Sequence, residues 1–128
     1  MTHSLSLTVL DPVLAVIRLP VGTGLPWWAA TSSVLFFTRT ADEESLVCDA
    51  ANLPEELIAE KGFKALRVNG PLPFYLTGVL ASLAGPLAEA GVPIFAVSTH
   101  DTDYVLVPET VLARAIGALR EAGHSIGQ

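Results

Sequence analysis

Cysteine is nearly absent from this sequence: Cys48 stands alone in 128 residues. One chain therefore carries neither an internal disulfide framework nor a thiolate metal cluster. Basic residues are also scarce. Seven Lys and Arg face 13 Asp and Glu, for a net charge of −6. The basic residues are scattered and form no stripe of the kind that grips a phosphate backbone, so no nucleic-acid partner is expected. Charge of either sign is thin, at 16%, while hydrophobic residues reach 51% and the mean hydropathy is +0.52. Soluble domains run nearer a quarter charged, so the apolar surplus needs a place to go.

Membrane spans are also missing. Segment 19–38 has no charge and segment 68–100 has only Glu89, but the first is broken by Pro20, Gly22, Gly24 and Pro26. The second is broken by Pro71, Pro73, Gly78, Gly85, Pro86, Gly91 and Pro93. A spanning helix needs about 20 apolar residues without such breaks. The opening Met1, Thr2, His3 and Ser4 lack the basic region and apolar core of a secretory signal. The expectation is a cytoplasmic chain with no membrane partner.

The first half reads as strands. Aliphatic, β-branched runs at 5–10 and 13–19 flank Asp11 and Pro12. A Gly/Pro loop at 20–26 follows, then one helical turn at 27–30 and a hairpin with strands at 33–40 and 44–48. Residues 52–61 read as a turn or short helix ended by Gly62.

The second half has clearer periodicity. A strand at 64–68 closes on Asn69, Gly70 and Pro71, and Leu76, Val79, Leu80, Leu83 and Leu87 then recur at helical spacing. Gly91 suits the residue past that helix, and Pro86 should bend its last turn by removing one backbone bond. Strands at 92–98 and 103–107 surround a polar connector at 99–102. A last helix starts after Pro108, shows Val111, Leu112, Ala115, Ile116 and Leu119 on one face, and stops at Gly123. The order β-α-β-β-α lacks one strand of a ferredoxin-like sandwich, and the N-terminal half is the expected source of that edge.

Catalytic patterns fail on inspection. Gly22, Thr23 and Gly24 start a dinucleotide fingerprint, but Trp27 occupies its third glycine position, and no Gly-Lys pair supports a phosphate-binding loop. Ser98, Thr99, His100 and Asp101 include nucleophile, base and acid types, yet neighbours on a strand point to opposite faces. Asp101 and Asp103 read as turn caps rather than metal ligands. Glu43 and Glu44 read as a solvated face, His3 and His124 carry no signal so near the ends, and Trp27 and Trp28 read as core or interface anchors. No metal, cofactor or enzymatic activity is expected. What remains is the helix start at 76–79, where unpaired N–H groups favour an anion and Gly78 either leaves the backbone approachable or allows tight packing of the helix on the sheet.

Those residues also carry a family resemblance. The run 76–83, the helix end at 87–94, Val97, Ser98 and Thr99, and the stretch 101–107 resemble ACT domains of the aspartate-kinase type. More closely, they resemble the small stand-alone ACT proteins related to cytosolic arginine sensors. The match covers about 64–123. The first 60 residues match more loosely, through 15–19 and the Pro26 and Trp27 that follow.

The resemblance implies an α+β fold: a ferredoxin-like βαββαβ sandwich with an antiparallel sheet and helices on one face. Residues 62–128 would form the ACT domain, and 1–61 a reduced ACT-like unit. It further implies a homodimeric amino-acid-binding regulatory module without catalytic residues. Leu76, Thr77, Gly78 and Val79 would lie at the ligand, Ser98 and Thr99 would line the same pocket, and Asp103 would face a cationic side chain or ammonium. An interaction module that has lost its ligand is the alternative.

Overall fold

The computed structural model describes residues 3–57 and 59–128. They group into two compact units: one joins the segment ending at Asp11 to Lys64–Gln128, and the other is Pro12–Phe63. The opening residues thus group with the C-terminal part, whereas the sequence put them in a block ending at 61. The strands are β1 (Ser6–Val9), β2 (Leu14–Leu19), β3 (Phe36–Arg39), β4 (Glu44–Asp49), β5 (Glu60–Val68), β6 (Phe95–Ser98), β7 (Asp103–Pro108) and β8 (Ser125–Gly127). The helices are α1 (Val79–Glu89) and α2 (Leu112–Glu121).

In the unit that contains both helices, the strands run β6-β7-β5-β1-β8. The edge expected from the N-terminal half is present as β1, but it lies inside the sheet, antiparallel to β5 and parallel to β8. The strand that completes the βαββαβ order is β8, at three residues too short to stand out in the sequence. The sheet is therefore mixed at β1 and β8 rather than antiparallel throughout. Strand alternation sends Leu7, Val9, Leu66, Val68, Val105, Val107 and Ile126 into one core with Val79, Leu83, Leu87, Ala115, Ile116 and Leu119 of the helices. Both helices thus cover the same sheet face.

The helix ends follow from local chemistry. Gly91, at φ 72°, lets the Val92 N–H reach the Leu87 carbonyl at 2.9 Å, and Gly123, at φ 101°, lets the His124 N–H reach that of Leu119 at 3.0 Å.

The other unit has the strand order β3-β4-β2-β5, with short 3₁₀ turns at Trp27–Ala29 and Ala50–Asn52 where helices would stand. Its first, second, third and fourth strands are arranged 2-3-1-4, the order of a ferredoxin-like sheet stripped of its helices. Residues 60–63 of β5, expected as turn, pair with β2 here. Trp28 packs against this unit's core, while Trp27 is 85% exposed and anchors no core.

Glu44 overturns its reading as solvated: its side chain is fully buried. The N–H groups of Gly22 and Gly24 each donate to its carboxylate at 2.7 Å, and Arg39 Nε donates at 3.3 Å. The glycine loop that hinted at a dinucleotide site thus wraps a carboxylate of its own chain. These backbone bonds hold the Glu44 carboxyl below its ordinary 4.5. At Asp49, burial works against ionisation, but bonds from the Ser33 N–H and hydroxyl, the Val34 N–H and the Ser32 hydroxyl outweigh it, and the carboxyl lies below 3.8.

A depressed folded pKa means that the unfolded chain binds more protons, so stability rises with pH. The contribution is present above the ordinary values and is lost as pH falls through the lower folded ones. Near-ultraviolet circular dichroism should show the wild-type melting temperature dropping below pH 4.5. In Glu44→Gln the drop should be shallower, and parallel curves would refute the role given to Glu44.

Candidate functional site

Two irregular segments of the helix-bearing unit meet at one end of its sheet. β5 leaves the sheet at Val68, and the chain runs through the proline-rich stretch to Gly78 before α1 begins. The connector at 99–102, between β6 and β7, lies beside it. The turn is closed by threonines rather than by aspartates: the Thr99 N–H donates to the Thr102 carbonyl at 2.9 Å, and the Thr99 hydroxyl to the same oxygen at 3.2 Å. Two bonds strap it to the other loop. The Thr102 hydroxyl donates to the Val68 carbonyl at 2.6 Å, and the Leu72 N–H donates to the Asp101 carbonyl at 2.7 Å.

Between these loops lies an open cavity of about 370 Å³, lined by residues 72–74, Leu76, Val79 and 98–103. Five of the seven residues expected at a ligand meet in its wall: Leu76, Val79, Ser98, Thr99 and Asp103. Ser98 and Asp103 do so as a cross-strand pair of β6 and β7. Thr77 and Gly78 are not among the lining residues. The Thr77 carbonyl instead bonds His3 Nε2 at 2.7 Å, a role for His3 that its place near the chain start concealed. Gly78, at φ 83°, sits in the left-handed region and sets the direction of α1, so its lack of a side chain is required by the backbone itself.

Sequence reasoning missed Phe74, His100, Asp101 and Thr102 as lining residues. Asp101 bonds His100 Nδ1 at 2.9 Å, and the Phe74 and His100 rings lie 5.2 Å apart at the rim.

The chemistry of the cavity is two-sided. Asp101 and Asp103 supply carboxylates that suit an ammonium or guanidinium, and the ring of Phe74 offers a face to the same cation. Val79, at the first turn of α1, lines the same cavity. The Val79, Leu80 and Ala81 N–H groups precede the first intrahelical bond, from the Ser82 N–H to the Gly78 carbonyl, and no side chain caps them. Among the described residues no three His, Cys, Asp or Glu side chains converge on a metal position.

A βαββαβ sandwich with both helices on one face of its sheet is the ACT architecture. The chain belongs to the ACT domain family, whose model matches residues 58–121. Among curated proteins it is 32% identical over 107 residues to the cytosolic arginine sensor for mTORC1 subunit 1 of Bos taurus, and 33% identical over 99 residues to the human counterpart. These alignments cover 76% and 70% of this chain but 32% and 30% of the relatives, so the chain spans about a third of their length.

A crystal structure of a protein from Agobacterium tumefaciens superposes with a TM-score of 0.91 at 33% identity, over 98% of this chain and 93% of that one. The regulatory subunit of aspartate kinase from Thermus thermophilus superposes at 0.63 and 14% identity, over 91% and 95% of the two chains, a likeness of fold.

Proposed function

We propose that this chain is a non-catalytic regulatory module that binds an α-amino acid in the cavity between the 72–79 loop and the 98–103 turn, as a homodimer. The observation that carries the reading is the convergence of Leu76, Val79, Ser98, Thr99 and Asp103 on that cavity. The amino acid's carboxylate lies toward the uncapped first turn of α1, and its cationic end toward Asp101 and Asp103. The printed function of the curated relatives, arginine sensing, makes arginine the first probe. The exposed Phe74, Tyr75, Leu76 and Ile94 supply apolar surface for the second copy.

A thermal-shift screen of the twenty amino acids at millimolar concentration tests the reading. A ligand present at about 100 times its Kd stabilises by about 2.7 kcal/mol, a shift of roughly 10 °C for a domain of this size. Asp103→Asn removes one charged partner and should weaken the responding ligand by roughly 10- to 100-fold. Absence of a shift with all twenty, on a sample shown by sedimentation to be dimeric, would favour a module that keeps the fold for interaction alone. A monomer at micromolar concentration would remove the homodimer.

A further inference from the structure

Among the described residues, the helix-free face of the same unit holds a cation with no hydrogen bond or ion pair. Four of the five arginines are exposed and still find an oxygen: Arg18 donates to the Asp42 carbonyl, Arg39 to Glu44, Arg114 to the Ala90 carbonyl and Arg120 to the Ile126 carbonyl. Arg67 is the most enclosed of the five, half-buried in the middle of β5, and its guanidinium has neither a hydrogen bond nor an ion pair among the described residues.

Strand alternation explains its direction. Leu66 and Val68 point into the helix layer, so Arg67 points to the other face, as does Tyr104 between the core side of Val105 and the end of β7. There Arg67 and Tyr104 line a second cavity of about 330 Å³ together with Asn69, Thr99, Thr102 and Asp101. Asp101 is the one carboxylate in that lining, and it is engaged by His100 at 2.9 Å.

A half-buried guanidinium that makes neither a hydrogen bond nor an ion pair among the described residues, and that lines a cavity, is an arrangement that suits a planar or tetrahedral oxyanion. We infer that the Arg67 cavity is a second binding site, distinct from the amino-acid cavity and taking a small oxyanion, carboxylate or phosphate, through the guanidinium. Both cavities share the 99–102 turn, since Thr99, Asp101 and Thr102 line each of them. The anion site does not depend on the amino-acid reading, because its cation and its face are different.

The test titrates ¹⁵N-labelled protein with inorganic phosphate and separately with acetate, against sodium chloride at matched ionic strength. One anion or both should shift the amides of Arg67, Asn69, Thr99, Thr102 and Tyr104, saturably and beyond the chloride control. The stronger of the two identifies the oxyanion. Arg67→Gln should weaken that binding by roughly tenfold or more, and Arg67→Lys, which keeps the charge, should retain part of it. Asp103→Asn should leave it intact even if amino-acid binding is lost or was never present. Shifts no larger than those with chloride, or Arg67→Gln binding as the wild type does, would overturn the site.

Discussion

Replacing His124 by phenylalanine should cost the helix-bearing unit roughly 2–5 kcal/mol, although ring volume is nearly conserved. The reason begins at Pro86. A proline has no N–H to give the carbonyl four residues earlier, so the Ser82 carbonyl loses its helical partner inside α1. His124 sits just past α2, 4% exposed, and its Nε2 lies 3.0 Å from that Ser82 oxygen. Its Nδ1 accepts the Leu5 N–H at 3.1 Å, which fixes the neutral tautomer with the proton on Nε2. One imidazole therefore satisfies an acceptor orphaned by proline in α1 and a donor at the entrance to β1.

Phenylalanine leaves both groups unpaired in a largely buried place, at about 1–3 kcal/mol each. Urea denaturation measures the loss. A double-mutant cycle with Pro86→Ala identifies its cause, because an alanine at 86 restores an N–H for Ser82 and should make the His124 substitution cheaper by about 1 kcal/mol. Strict additivity, or a loss below about 0.5 kcal/mol, would show that the Ser82 bond does not matter.

Neither end of that arrangement was visible as such in the sequence. Pro86 announced a missing backbone bond, and Gly123 announced the helix stop beside His124, but nothing local says that a histidine 38 positions later repairs the defect. The same limit governs the fold. Turn residues and helix ends are chemical events within a few residues, so Gly91, Gly123, α1 and α2 were legible. Which strand lies beside which is decided by contacts between distant segments. β1 was readable as a strand, but its insertion between β5 and β8 was not. β5 was read too short because residues 60–63 have a mixed composition and become strand only by pairing with β2.

The candidate site was legible to the extent that it lies at element ends. Val79, Ser98 and Asp103 begin or finish α1, β6 and β7, and it was the resemblance to ACT domains, not periodicity, that pointed to Ser98 and Asp103. Phe74, His100 and Asp101 were missed because loop side chains have no period, and they enter the cavity only through the bonds that tie Thr102 to Val68 and Leu72 to Asp101. Glu44 was misread for a related reason. A pair of glutamates is usually solvated, and only the fold of a glycine loop 20 residues away turns two N–H groups onto one of them.

Helix α1 provides the sharpest test of what periodicity settles. Leu76, Val79, Leu80, Leu83 and Leu87 share a face by spacing, yet the structure divides them: Val79, Leu83 and Leu87 are buried, while Leu80 is 36% exposed and Leu76, ahead of the helix, is 41% exposed. A buried stripe narrower than the apolar one follows from packing against a sheet whose own side chains reach only the centre of the helix. Leu83→Ala should therefore cost about 3–5 kcal/mol, the price of lost burial plus a cavity among Leu66, Val105 and Leu119, which share its core. Leu80→Ala should lie within about 0.5 kcal/mol of the wild type, since little area leaves the core and alanine is no worse a helix former. Urea midpoints with unchanged slopes measure both differences. Equal costs at the two positions would mean that the helix is rotated from the orientation described, and with it Val79 in the wall of the candidate cavity.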